Sequence, residues 1–542
     1  MTQIRTGASI IAEKLKQAGC QRAFGIPGGE VLAILTGLDE VGIAFHLAKH
    51  ENAAGFMAEG AWHAEAPGSR APGILVATVD PGVSNAVNVI ANAMQDRVPL
   101  IFLTGCVDGA VAETYTHQIF DHQAILRPIV KATFRATSGT LAVMMDKALA
   151  IAFDGQPGPV HIDVPISVAE GPSNEVVRPL PSPAAPAMPA PDPVLGAAID
   201  ALSMAKRPLV IAGVDAVTEN AGQVLSDFCR KHAIPLLTTY KGKGLLDETD
   251  PLCLQGHGLS PNAENIVLPL VAKADCILLA GYDPIEMRAG WRDPWSGSAT
   301  VIEISPVLRT HGMHRVTHSL HTAIEPTLVQ LQHGLEVKPR WPDAEYQKVR
   351  DALTDAFAAP DNWGPGQVFA TLNASLPENS VVTADAGAHR ILVSQMWQCR
   401  HPHSFLQSTA LCTMGCAVPL AAGYKLASRQ TPVCAFVGDA GLEMGLGELA
   451  TIRELKLPLI ICVLVDGSLS LIELKQRSSQ RKNVGVDFTG TDFVGVANAM
   501  GGHGVWIDDA ESLRQEAAKA LQRDTYTLLA CRIGRRSYDG TF

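Results

Sequence analysis

The sequence predicts an α/β protein built as three doubly wound parallel-sheet domains in series. Three observations predict it. The chain has 542 residues, and at roughly 100–200 residues per domain that length favours several domains over one. Short β-rich apolar runs ending in turn residues alternate with helical patterns, which is how a parallel sheet covered on both faces reads. Two loose, Pro-containing stretches divide the chain. The resulting organisation is a first domain over 1–175, a Pro/Ala-rich linker over 176–193, a central domain over 194–335, a second linker over 336–363 and a last domain over 364–542.

In the first domain, AFGIPGG, GILVATVDPG, PLIFLTG and GPVHIDVP read as strands, with ENAAGFMAEGAWHA and VSNAVNVIANAMQ as helices between them. Ile4, Ile10, Ile11 and Leu15, set among charges, predict an amphipathic helix before them. The linker PLPSPAAPAMPAPDP carries one charge, Asp192, and is expected to be extended and semi-rigid. The central domain offers PLVIAGVDAV, IPLLTTYKGKG, CILLAGYDP and ATVIEISP as strands. The last offers SVVTADAG, PVCAFVGDAG, LPLIICVLVDGS and YTLLACRIG.

Composition removes several functions. The formal charge is −11, a poor match for nucleic acid or an anionic membrane surface. Hydrophobic residues make up 47% and charged ones 18%, which excludes disorder as the main state. The longest apolar runs, such as Leu459 to Val465, are far short of the roughly 18 residues a membrane span needs. Eleven cysteines without a C-x-x-C, and with only Cys412 and Cys416 close together, read as reduced core residues of a cytoplasmic protein.

Two segments carry chemistry. From Val433 to Gln476 the chain reads strand, Gly-Asp-Ala-Gly turn, helix, strand, Asp-Gly-Ser turn, helix. Gly438 and Gly441 let backbone approach a ligand. Asp439 and Asp466 end successive strands, so adjacent parallel strands would bring both carboxylates to one sheet edge. That set suits a hard divalent cation bridging to phosphate oxygens, although either Asp also suits a helix cap. In the first domain, Glu51 follows a strand and opens a helix of small apolar residues. A helix-start Glu is usually surface decoration. Small residues beyond it predict close packing, against another subunit among the options, and a desolvated carboxyl able to share a proton with a ligand nitrogen.

Taken together and in order, FGIPGG, KHENAAGFMAEGAW, NVIANAMQDRVPLIFLTG, TADAGAHR, STALCTMGCAVPLAAGYKLA, GDAG and VDGSLSLIELKQ resemble the thiamine diphosphate-dependent enzymes, in their acetolactate synthase-like branch. The resemblance covers nearly the whole chain. It implies a pyrimidine-binding first domain, a central domain and a diphosphate-binding last domain. It implies that Glu51 hydrogen-bonds N1′ of the cofactor's aminopyrimidine and that Gln118 lines the reaction centre. Asp439, Asp466 and the carbonyl of Ser468 would hold the metal, Mg2+. Gly387, Ala388 and His389 would touch the diphosphate, with Gly438, Ala440, Gly441 and Leu469 beside it. Met414 would bend the cofactor and, with the carbonyl of Cys412, hold the pyrimidine. Gly28, Leu471 and Lys475 would face the substrate.

The implied activity is decarboxylation of a 2-oxo acid with carboligation. The alternative is a simple 2-oxo acid decarboxylase, or a lyase acting on a 2-hydroxy ketone or 2-hydroxyacyl thioester. The implied assembly is a homodimer with shared sites, or a tetramer of two such pairs. The sequence departs from the family at four positions. Ala440 replaces a glycine, Asp466 a common Asn, and Leu471 and Lys475 a Met and a Trp. Family members that bind flavin do so in the central domain, so FAD is a further candidate there. No G-x-G-x-x-G follows a strand in that domain.

Overall fold

The computed structural model describes residues 5–65 and 71–542. Its first sheet contains β1 (Arg22–Gly25), β2 (Ala44–Leu47), β3 (Gly73–Ala77), β4 (Leu100–Cys106), β5 (Ala132–Arg135) and β6 (Pro159–Pro165), in the order β2-β1-β3-β4-β6-β5. The central sheet contains β7 (Pro208–Ala212), β8 (Leu236–Thr239), β9 (Cys253–His257), β10 (Cys276–Ala280), β11 (Thr300–Ser305) and β12 (His318–His321), in the order β12-β11-β10-β7-β8-β9. The last contains β13 (Val381–Ala384), β14 (Phe405–Gln407), β15 (Val433–Gly438), β16 (Ile460–Val465), β17 (His503–Ile507) and β18 (Thr527–Arg532), in the order β14-β13-β15-β16-β18-β17. Neighbouring strands pair in parallel in each sheet, for example Phe24 with Leu75, Leu278 with Val210 and Gly438 with Leu464. The predicted class is the observed one.

The first and last sheets share one strand order when each is counted from its own first strand, a duplication that no residue-level repeat betrays. The central sheet has the order of a dinucleotide-binding fold. In all three, ligand crevices are expected where the strand order reverses, beyond the strand C-termini. Those points are β1/β3, β7/β10 and β13/β15.

Local sequence explains the elements that matter. Of the expected N-terminal helix the structure has Gly7–Gln17, opened by a Thr6–Ser9 capping box, with Ile10, Ile11 and Leu15 buried; Ile4 lies outside the described residues. The Ala-rich helix Glu51–Ala64 is capped by His50, whose Nδ1 accepts from the Asn52 amide at 3.1 Å. Its small-residue face packs on the helix Ala417–Ala427 of the same chain. A Cβ on Gly60 would lie 2.1 Å from the Leu420 carbonyl oxygen, and one on Gly423 would lie 2.0 Å from that of Met57. The rising and falling numbers make the pair antiparallel. One apolar cluster runs through it, from Phe56, Met57 and Phe102 to Leu420, Tyr424 and Leu449. Residues 174–191 contain no helix or strand. They pack on the central domain, where the Ala187 carbonyl accepts from the Ala323 amide at 2.9 Å.

Candidate active site

The acid end lies at the C-terminal edge of the first sheet. Glu51 is 4% exposed, and its carboxylate accepts from Asn85 Nδ2 at 2.9 Å. A Cβ on Gly82 would lie 3.3 Å from Glu51 Oε1. The parallel packing of two helices, Glu51–Ala64 and Asp80–Gln95, sets this position. Asn85 had no signal in the sequence beyond its place in the second helix. The same edge holds a buried polar array. His122 stands between Asp80 and Asp163, with Nε2 2.6 Å from Asp80 Oδ1 and Nδ1 2.7 Å from Asp163 Oδ1. Desolvation opposes charge on that ring, but the two carboxylates win and hold its pKa above the usual range.

The anion and metal end lies where the last sheet reverses. Asp439 follows β15, and Asp466 follows the neighbouring strand β16. Asp439 Oδ2 accepts from the amides of Asp466 at 3.0 Å and Gly467 at 2.8 Å. Its Oδ1 accepts from the Ala440 amide at 2.9 Å. Asp466 Oδ1 accepts from the Ser468 amide at 3.1 Å, and Oδ2 from the Ser470 hydroxyl. Burial pushes both carboxyls up, Asp466 to about 6, with the Asp439 charge adding to the rise. A hard cation among these oxygens relieves that cost, so the donor set fits Mg2+. Ala440 has no positive φ, so alanine replaces the family's glycine without strain.

The knot of this site is Asp385, which sequence reasoning left out although it directly follows β13 in TADAG. It is fully buried. Its Oδ1 is 2.8 Å from His389 Nε2, and its Oδ2 accepts from the Gly415 amide at 2.6 Å. A Cβ on Gly441 would lie 2.2 Å from Oδ2. One carboxylate thus draws together the 387–389 turn, the 414–415 turn and the 438–441 turn. The His389 ring lies under Gly438, 3.4 Å from where a Cβ would be. Gly387 caps the nine-residue helix Ala388–Met396, whose first amides are oriented to receive an anion. Cys412 takes a left-handed φ of 60°, and its sulfur meets Arg390 Nη2 at 3.3 Å. Met414 is half-buried. Leu469 donates its amide to the Val486 carbonyl at 2.7 Å and leads into the helix Ser470–Ser478.

Four expected residues are not gathered by one chain. Gln118 is exposed at φ 52° on the loop before His122. Gly28 packs on Thr78 in the first domain, where an added Cβ would lie 2.3 Å from Oγ1. Leu471 is half-buried against Tyr240 and Ile391. Lys475 is exposed and makes no ion pair among the described residues. Its neighbour Arg477 does not share a free basic face with it, being paired with Glu473 and Asp539.

The central crevice does not fit a flavin. Between β7 and β10, where a pyrophosphate would lie, Asp215 and Asp283 are buried. Arg309 spans both, Arg97 Nη2 donates to Asp283 at 2.8 Å, and Gln156 Nε2 reaches Asp215 at 2.9 Å and Asp283 at 3.0 Å. A Cβ on Gly213 would already lie 2.8 Å from the Gly281 carbonyl oxygen. Two paired carboxylates face the place a diphosphate needs, and residues of the first domain fill it. The FAD expectation is therefore dropped.

Comparison with known proteins agrees with this layout. Residues 5–125 match the N-terminal TPP binding domain of thiamine pyrophosphate enzymes, residues 195–331 their central domain and residues 385–531 their C-terminal TPP binding domain. Among curated relatives, the chain is 29% identical over 480 residues to acetolactate synthase isozyme 1 large subunit of Escherichia coli (strain K12), covering 87% of this chain and 83% of that one. It is 27% identical over 529 residues to acetolactate synthase of Bacillus subtilis (strain 168), covering 94% and 89%. It is 29% identical over 567 residues to acetolactate synthase large subunit of Parasynechococcus marenigrum (strain WH8102), covering 98% and 88%. With all three domains of one family present in order over most of its length, the chain belongs to the thiamine pyrophosphate enzymes and is an enzyme that works with thiamine diphosphate.

Proposed function

We propose that this enzyme uses Mg2+ and thiamine diphosphate to decarboxylate a 2-oxo acid and to join the remaining acyl fragment to a second carbonyl compound, the acetolactate synthase type of reaction named for its relatives. The observation that carries the reading is the meeting of Asp439 and Asp466 beside turns knotted by Asp385, with the buried acid Glu51 opening a helix of the first domain. When bound, the cofactor supplies the carbon nucleophile and the electron sink. Asp439, Asp466 and the Ser468 carbonyl hold the cation, and the Gly387–His389 and Gly438–Gly441 turns receive the diphosphate. Cys412 and Met414 seat the pyrimidine. Glu51 holds and returns a proton at the pyrimidine nitrogen, in surroundings that exclude water. Gln118, Gly28, Leu471 and Lys475 orient the substrate.

The active unit in this reading contains at least two copies. Glu51 begins its helix, whereas the Ala417–Ala427 helix begins near the other end of their antiparallel contact, where His63 meets His403 at 2.9 Å. At 1.5 Å per residue those ends are about 20 Å apart. The acid of one copy therefore serves the cation clamp of another. All eleven thiols are free, in keeping with a cytoplasmic setting, and among the described residues no helix is long and apolar enough to cross a membrane.

The test is product analysis of the holoenzyme with pyruvate, alone and with an added aldehyde or second 2-oxo acid. A carbon–carbon joined product supports the reading. Acetaldehyde as the sole product in both cases would assign the chain to simple decarboxylation.

A further inference from the structure

Away from the cofactor site, the central domain holds a second cluster of ligating side chains. Glu303 lies on β11, and the loop after it returns His311 and His314 over the strand. Glu303 is 4% exposed and His314 8%. The ligand atoms of all three residues lie within 4.8 Å of one another. Among the described residues no hydrogen bond reaches Glu303 Oε1, nor either ring nitrogen of His314. Buried polar atoms without partners are rare, and Glu303 Oε1 facing a ring nitrogen of His314 across such a gap calls for an occupant.

We propose that Glu303, His311 and His314 form a divalent transition-metal site, for zinc or a first-row neighbour, distinct from the magnesium clamp. Two imidazoles and one carboxylate are the donor set of such ions, whereas magnesium prefers oxygen alone. Supporting contacts orient the donors. The Ser319 hydroxyl donates to Glu303 Oε2 at 3.0 Å, which turns Oε1 towards the histidines. The Met313 amide donates to His311 Nδ1 at 2.8 Å, a hydrogen bond that the ion would replace when that nitrogen becomes a ligand. The Ser319 contact is of the kind that fixes a ligand's direction. Arg309, on the same loop, is committed to Asp215 and Asp283. Trp295 and Tyr282 wall the His314 ring, with centroids at 5.0 and 5.6 Å. His311 is exposed, so a fourth position opens to solvent. The ion would staple the 306–316 loop to the sheet.

The test uses the full-length chain without a polyhistidine tag, stripped with EDTA and dialysed against Co2+ or Zn2+ with Mg2+ in excess. The expected result is about one equivalent of transition metal per chain with a visible cobalt spectrum. It should be lost in Glu303→Gln and His314→Ala. His311→Ala, at an exposed position that cannot disturb the core, should weaken uptake at unchanged circular dichroism. Absence of stoichiometric uptake overturns the assignment. So does uptake that the three substitutions leave intact, and so does metal-free binding of ADP or FAD that Glu303→Gln abolishes. Since the readout is metal content, failure of the proposed carboligation would not touch it.

Discussion

Glu59 sits on the helix that Glu51 opens and is 1% exposed. Its Oε2 accepts from Asn92 Nδ2 at 3.0 Å, and its Oε1 lies 3.7 Å from His63 Nε2. His63 gives no charge in return, because burial drives that ring down to about 3. Burial therefore dominates at Glu59 and lifts it from 4.5 to about 7, against the opposing pull of Lys241 and Asn92. Between those two values the folded chain keeps a proton that the unfolded chain has released. Folding stability falls as pH rises through that window, and above it the whole penalty is present. The gap is worth roughly 3 kcal/mol. Glu59→Gln removes the titration and keeps an oxygen for Asn92. The variant should be more stable at pH 8, by up to roughly 3 kcal/mol, and nearly unchanged at pH 5. With 542 residues and about 2.1 cal/mol/K of unfolding entropy per residue, that is a rise of about 3 °C in the melting temperature at pH 8. Scanning calorimetry of both proteins at the two pH values measures it. An equal gain at pH 5, or a loss at pH 8, would refute the reasoning.

Gly423→Ala tests the helix contact. In an open helix the change stabilises by about 0.5–1 kcal/mol. Here the new Cβ would lie 2.0 Å from the Met57 carbonyl oxygen, so the helices must part and the melting temperature should drop, at a cost of about 1–3 kcal/mol. A higher melting temperature would mean the two helices do not touch this closely. Asp466→Ala should weaken magnesium-dependent uptake of thiamine diphosphate by at least about 10–100-fold, read by titration calorimetry. Asp466→Asn, which keeps one oxygen donor, should retain most of it, and equal affinity in the alanine variant would remove Asp466 from the cation clamp.

What the sequence made legible follows from burial. The strands read from it are mostly interior ones such as β4 and β16, whose continuous apolar runs reflect two covered faces. The ones passed over, including β5, β9, β12, β14 and β17, are sheet edges. Several of these, β5 and β12 among them, are partly exposed and carry polar residues that blur the pattern. At the site, Asp439 and Asp466 were readable because the strand-turn-helix grammar fixes both ends of a βαβ unit. Asp385 and Asn85 were not, since their roles arise from contacts between segments distant in sequence. The small-residue face of the Glu51 helix announced close packing, but only the fold shows the partner to be Ala417–Ala427 of the same chain. Likewise the central strand order invites a dinucleotide, and only the buried Asp215–Arg309–Asp283 cluster shows the crevice to be filled.

The central claim is that a complete site takes Glu51 from one copy and Asp439 from another, and subunit mixing tests it most directly. Glu51→Gln and Asp439→Ala should each be inactive alone. Co-expressed with different affinity tags, they should form mixed dimers in which one of the two sites has both residues intact. Random pairing then restores about a quarter of wild-type turnover, or about half in mixed dimers isolated by both tags. Mixed dimers as inactive as the separate variants would contradict the account, because acid and cation clamp would then belong to the same chain.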